Sequence, residues 1–193
     1  MSVVAYILLR ASSIPYLFSS ISLNILNAIA EGKIESGDEK KLNALKGETM
    51  AVIALCQFDL TRCFGYPYTK DNGASLGAPL IDHLVGTYEN PSRSTVAQAY
   101  DFIIETLEEA VTLMSEEKNN GRMNKYAARA LLARVYLYHN DNRKAFDMAE
   151  QLIKDVDASG SYALYPHEKY VAAWSVETKF GSESFFEIAN SVD

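Results

Sequence analysis

The stretch GRMNKYAARALLARVYLYHNDNRKAFDMAEQLI, residues 121–153, constrains the fold more than any other part of the chain. It reads as two helices joined by a tight turn. Ala127, Leu131, Val135 and Tyr138 fall at helical spacing and line one face of the first helix. Asn140 or Asp141 is placed to cap the second, whose inner face carries Ala145, Met148, Leu152, Ile153 and Val156. The small residues Ala133 and Ala145 would let the two helices cross closely. A helical hairpin of this kind has more apolar surface than its own partner helix can cover. It must therefore pack on neighbours elsewhere in the chain.

The neighbours are legible. A helix is expected over residues 16–31, with Leu17, Ile21, Leu23, Ile25, Leu26 and Ile29 as its apolar positions and Gly32 as its stop. Residues 3–10 read as a separate helix, broken off by Pro15. A second long helix spans residues 39–64, with Gly65 as a left-handed cap and Pro67 preventing continuation. Residues 66–93 form a long connection rich in Gly and Pro, a length that tends to be functional or mobile in compact domains. Thr95 followed by Gln98 is a capping box. It opens a helix of residues 95–116, whose stripe is Val96, Tyr100, Ile103, Leu107, Ala110 and Met114. After the hairpin the chain becomes irregular and aromatic-rich, and SFFEIA reads as a short strand. The fold class is therefore all-α in the main, with a long irregular loop at residues 66–93 and an irregular C-terminal tail. Residues 1–193 make one domain.

Composition narrows the function. With 193 residues, 48% hydrophobic and 22% charged, the chain is long and apolar enough for a real core. A net charge of −7 argues against a nucleic-acid partner, which calls for a basic surface. Arg10 is the only charge in residues 3–30, yet Pro15 and many Ser and Asn residues favour buried helices over a membrane span. Cys56 and Cys63 lie seven residues apart, about 10 Å along a helix, too far for a mutual disulfide; both read as buried free thiols. IALC, ending at Cys56, is not a lipidation box, because a charged segment precedes it and Leu55 is too large for its place.

Catalytic constellations are nearly absent. His83, His139 and His167 have no metal-ligand spacing, and neither a nucleophile elbow nor a phosphate-cradling glycine loop occurs. The pairs Glu108–Glu109 and Glu116–Glu117 fall on solvated helix faces. No cofactor, metal or catalytic residue is expected, and the chain reads as a binding protein rather than an enzyme. Aromatics are the remaining signal: twelve tyrosines and one tryptophan. Tyrosine and tryptophan combine a flat apolar face with a polar tip, which suits sugar rings. On that chemistry Trp174 and Tyr170 in the tail, and Tyr66 and Tyr68 in the loop, are the candidate ligand-binding residues.

Leu132, Ala133, Tyr136 and Ala145 match the tetratricopeptide pattern in part. Three stretches in order then carry a wider resemblance: LKGETMAVIALCQFDLTRCFGYPY, then LGAPLI with RSTVAQAYDFIIETLEEAV, then the hairpin followed by SYALYP and ESFFEI. Together they resemble the SusD/RagB family of outer-membrane nutrient-binding proteins, over about residues 16–188. The resemblance implies tetratricopeptide-like hairpins in a right-handed superhelix, set against a more irregular part. It implies a non-catalytic surface lipoprotein of Bacteroidetes that caps a TonB-dependent transporter and delivers glycans, or for some members peptides. A full member begins with a signal peptide and lipidated cysteine and runs on by about another domain, so this chain reads as a fragment that would expose an apolar face and self-associate. The alternative is an intracellular tetratricopeptide scaffold that binds peptide or protein partners.

Overall fold

The structure is a computed structural model describing residues 3–34, 36–86, 88–173 and 180–187, with side chains described from residue 15 onward. Among the described residues six helices and one two-stranded ribbon follow in order: α1 (Val3–Ala30), α2 (Glu39–Phe64), β1 (Leu76–Pro79), β2 (Arg93–Thr95), α3 (Val96–Leu113), α4 (Lys125–Tyr138), α5 (Asn142–Ser159) and α6 (Tyr170–Ala173). Helix α2 lies between α1 and α3, α3 packs on α4, and α4 pairs with α5. This succession of stacked neighbours is the tetratricopeptide-type arrangement expected from the hairpin.

Helix α1 runs unbroken through Pro15, so residues 3–10 are not a separate helix. A proline inside a helix removes one hydrogen bond and crowds the preceding turn; that is a penalty, and helical residues on both sides outweigh it here. Leu23 is buried against Ile53 and Ile81, with Leu26 beside them. Leu17, Phe18 and Ile21 are exposed, so only part of the expected apolar face meets α2.

Helix α2 begins at Asp38, whose carboxylate accepts the amides of Lys40 and Lys41 at 3.0 and 3.4 Å. Its second half is central: Ala51, Ile53, Ala54, Phe58 and Leu60 are fully or almost fully buried. Gly65 ends the helix in an extended conformation, φ −104° and ψ 166°, not the left-handed one expected. The glycine answers to space, not handedness: a Cβ there would lie 2.7 Å from the Thr61 carbonyl oxygen. Gly47 plays a similar part at the α2–α3 crossing, where a Cβ would meet Met114 Cγ at 2.7 Å and the Ala110 carbonyl at 2.9 Å.

The Thr95–Gln98 capping box forms as expected, and Val96, Tyr100, Ile103, Leu107 and Ala110 make one buried stripe. Burying each large side chain on it contributes roughly 1.5–3 kcal/mol. The helix stops at Leu113, three residues before Glu116, because Met114 turns to an extended conformation and the polar run after it has no core to face. In the hairpin, Asn124 caps α4, Asp141 caps α5, and Gly160 closes α5 at φ 63°. Ala127, Leu131, Val135, Ala145, Leu152 and Val156 are buried, as the spacing requires. Tyr138 is 43% exposed and Ile153 62% exposed, against expectation; Tyr136 is the tyrosine that turns inward. Ala145 sits in the core, but Ala133 is only partly buried, whereas Ala128 is fully buried.

Cys56 is half-buried and burial pushes its thiol up to about 11, whereas Cys63 is exposed, so the pair is not equally enclosed. Residues 184–187 form no strand; Phe185 packs edge-on against Tyr162 at 4.9 Å, and Ala163 N–H donates to Ser182 across 3.0 Å. Ile188 and Ala189, which complete the expected strand, lie outside the described residues. No helix of the described residues is long and apolar enough to cross a membrane.

Candidate functional site

The connection after α2 is more ordered than its composition implies. It is not wholly irregular: Tyr68–Lys70 form a 3₁₀ turn, and β1 pairs antiparallel with β2, with Leu76 opposite Thr95 and Pro79 opposite Arg93. The Arg93 guanidinium donates to the carbonyls of Gly77 at 2.7 Å and Leu76 at 2.9 Å, and the Ser94 hydroxyl donates to that of Ala78 at 2.9 Å. From α2 the buried Gln57 amide donates to the Pro79 carbonyl and accepts from Ile81 N–H, at 3.3 and 3.5 Å. The Asp71 carboxylate accepts from both the amide and the hydroxyl of Ser75, which holds its pKa below the ordinary value. These bonds fix one side of the loop to the helices.

The other side is closed by His83. Its Nδ1 lies 2.6 Å from Asp82 and its Nε2 2.6 Å from Glu89. Glu89 also accepts Gly86 N–H at 3.0 Å. An imidazole donates from both nitrogens only when protonated, and hydrogen bonds to Asp82 and then Glu89 accordingly raise the His83 pKa. Beside this clasp, between the loop and α3, lies an open groove of about 690 Å³ bordered by Asn90, Arg93, Gln98, Asp101, Phe102 and Glu105. A second groove, about 600 Å³, runs past the start of α2, lined by Leu45, Met114 and Met123 together with Lys41, Glu117 and Asn119. Amide, carboxylate and apolar groups set together in this way suit a neutral polyol.

The sequence-based candidates separate. Tyr66 is 57% exposed, with Lys70 Nζ 3.0 Å from its ring centroid. Tyr68 is a packing residue: its ring stands edge-on to Tyr100 at 5.6 Å and tilted on His139 at 4.2 Å. Tyr170 is half exposed at the start of α6, in a different part of the chain. Trp174 lies outside the described residues. His83 with its two carboxylates is a feature that sequence reading passed over; the only signal was a histidine with acidic residues one before and six after it. Among the described residues no group of three or more His, Cys, Asp or Glu side chains is placed to hold a metal ion.

A family model described as SusD-like, "starch-binding associating with outer membrane", matches residues 13–137. The chain belongs to the SusD-like family. Among solved structures, the SusD-like chain is similar to a SusD superfamily protein from Bacteroides vulgatus, at 90% identity and a TM-score of 0.89, covering 93% of this chain and 40% of that one. A SusD superfamily protein from Bacteroides thetaiotaomicron is 40% identical with a TM-score of 0.85, covering 92% of this chain and 38% of that one. A protein from Bacteroides vulgatus described as a putative sugar-binding protein is 39% identical, also with a TM-score of 0.85, covering 94% and 41%. The SusD-like chain thus spans about two fifths of the length of these relatives. No curated protein matches it.

Proposed function

We propose that this chain is the helical portion of a non-catalytic glycan-binding protein in an outer-membrane nutrient-uptake system. The full-length parent is a surface-exposed lipoprotein that partners a TonB-dependent transporter. The observation that carries this reading is the family match over residues 13–137, whose description joins starch binding to outer-membrane association. The two open grooves, in which amide and carboxylate groups stand beside apolar side chains, support it. Tyr66 and Tyr170, with exposed rings, and Trp174 remain the candidate stacking residues; Tyr68 orients the loop through its contact with Tyr100. The family match speaks against an intracellular peptide-binding scaffold.

Isothermal titration of the full-length parent against a panel of oligosaccharides tests the reading, together with co-purification from an outer-membrane extract. Saturable binding of at least one glycan and recovery of a TonB-dependent transporter are expected. Failure of every glycan to bind and of any such transporter to co-purify would sink it.

A further inference from the structure

Two arginines from different helices converge on one phenol at the surface where α2 and α4 end. Arg62 lies with its guanidinium carbon 4.9 Å from the Phe58 ring centroid and 5.5 Å from that of Tyr138. Arg134 approaches the same two rings at 5.8 and 5.9 Å. The two guanidinium groups flank the Tyr138 ring, and their positive charge keeps the phenol pKa below its ordinary value. The Phe58 and Tyr138 rings meet edge-to-face at 5.4 Å and hold the seam between the helices.

The charges here do not balance. Asp59 pairs with Arg62 across 2.5 Å, but among the described residues no carboxylate forms an ion pair with Arg134. The Nε of Arg62 is enclosed without a hydrogen-bond partner. Two guanidinium groups thus share one carboxylate and one neutral phenol. Bringing like charges together costs free energy unless something answers them, and local conflicts of this sort concentrate at functional sites. The missing group is an anion, and a guanidinium's planar fork fits a carboxylate with two parallel hydrogen bonds. The rim is apolar and aromatic: Phe64, Leu137 and Tyr138 are all exposed near the ends of α2 and α4. A flat aromatic edge beside a paired cation suits a ring that bears a carboxylate.

We propose that Arg62, Arg134 and Tyr138 form a site for the carboxylate of a uronic acid residue, so that the glycans this protein takes include acidic ones. This rests on the glycan-binding reading and narrows its substrate class. The local field is positive although the chain carries a net charge of −7. It therefore selects an acidic sugar at one place without drawing polyanions to the whole surface.

The test uses the full-length protein, a galacturonate oligomer, and the same oligomer with its carboxylates reduced to alcohols. The acidic oligomer is expected to bind roughly tenfold more tightly than the reduced one, with a preference that shrinks as salt rises. In Arg134→Gln, an exposed position, the preference for the acidic oligomer is lost. Saturating galacturonate should also raise the Tyr138 phenol pKa, read by ultraviolet titration, because the bound anion neutralises the arginines. Equal binding of the two oligomers, or a preference that survives Arg134→Gln, overturns the site while leaving glycan binding intact. Polyglutamate binding there as tightly as the acidic sugar overturns the sugar assignment in favour of an acidic protein partner. If neither oligomer nor any neutral glycan binds, the underlying glycan reading fails and this proposal falls with it.

Discussion

Replacing Gly47 by alanine should destabilise the protein, although helix propensity alone says the reverse. In an exposed helix interior the change gains up to about 1 kcal/mol. In this helix the new methyl carbon would lie 2.7 Å from Met114 Cγ, 2.9 Å from the Ala110 carbonyl oxygen and 3.0 Å from Leu113 Cβ. The methionine is flexible and can swing aside. The carbonyl cannot, because it accepts Met114 N–H at 3.1 Å and belongs to the last turn of α3. Helix α3 must therefore move off α2 along the seam lined by Met50, Ala54 and Leu107. Overpacking of this kind costs about 1–3 kcal/mol. A middling cost of about 2 kcal/mol, less a propensity gain of about 1 kcal/mol, leaves a net loss of about 1 kcal/mol, a fall of roughly 0.5 M in the urea midpoint at an ordinary slope. Urea unfolding followed by circular dichroism at the helical minimum reads it. Gly37→Ala is the control, since a Cβ there meets nothing within 4 Å. A Gly47→Ala protein as stable as the parent or more so would refute the close-crossing argument.

Three further outcomes follow from particular contacts. Asn124→Ala removes the α4 cap and the 2.8 Å bond to the Tyr162 hydroxyl inside the core; a loss of about 2–3 kcal/mol is expected in thermal melts, and a loss under 0.5 kcal/mol would contradict the assignment. His83 should titrate above its ordinary value in NMR pH series, since its two carboxylate partners favour the charged form. The folded-state pKa being raised, the clasp's contribution is complete below about 6.5 and disappears as pH climbs through the raised value; Glu89→Gln should bring that value down, and an unmoved titration would count against the clasp. Iodoacetamide should modify the exposed Cys63 in the native protein while Cys56, half-buried with a raised thiol pKa, reacts only on unfolding; equal labelling of both, read by peptide mass spectrometry, would contradict this.

Legibility followed locality. The bounds of α2 and the Thr95 capping box could be read because a cap and its partner sit three residues apart and the periodicity repeats over many turns. The ribbon could not: strands of four and three residues carry no alternation, and Leu76 pairs with Thr95 across the whole loop. Periodicity marks which side of a helix is apolar, but not which apolar residue finds a neighbour. Tyr138 and Ile153 lie on the right helices yet face outward, since burial depends on what the adjacent helix offers. The same limit blurred the aromatics: Tyr66 and Tyr68 are two residues apart, and only the position of Tyr100 and His139 makes Tyr68 a packing residue, while Tyr66 stays exposed with Lys70 over its ring. The convergence of Arg62 and Arg134 on Tyr138 was beyond reach for that reason as well, since α2 and α4 meet only in the fold.

One further contact joins distant parts of the chain. Glu48, with a side chain only 17% exposed, accepts from the Arg122 guanidinium and from Met123 N–H at 3.1 Å, joining residues 74 and 75 positions apart. Stacked helical hairpins can ordinarily peel away one unit at a time, because each touches only its neighbours. Here the release of α4 and α5 would strand a mostly buried carboxylate without its cation. Early partial opening is penalised, and unfolding becomes all-or-none across the early helices and the late hairpin. The same brace closes late and over a long loop, so it slows folding while it sharpens the transition.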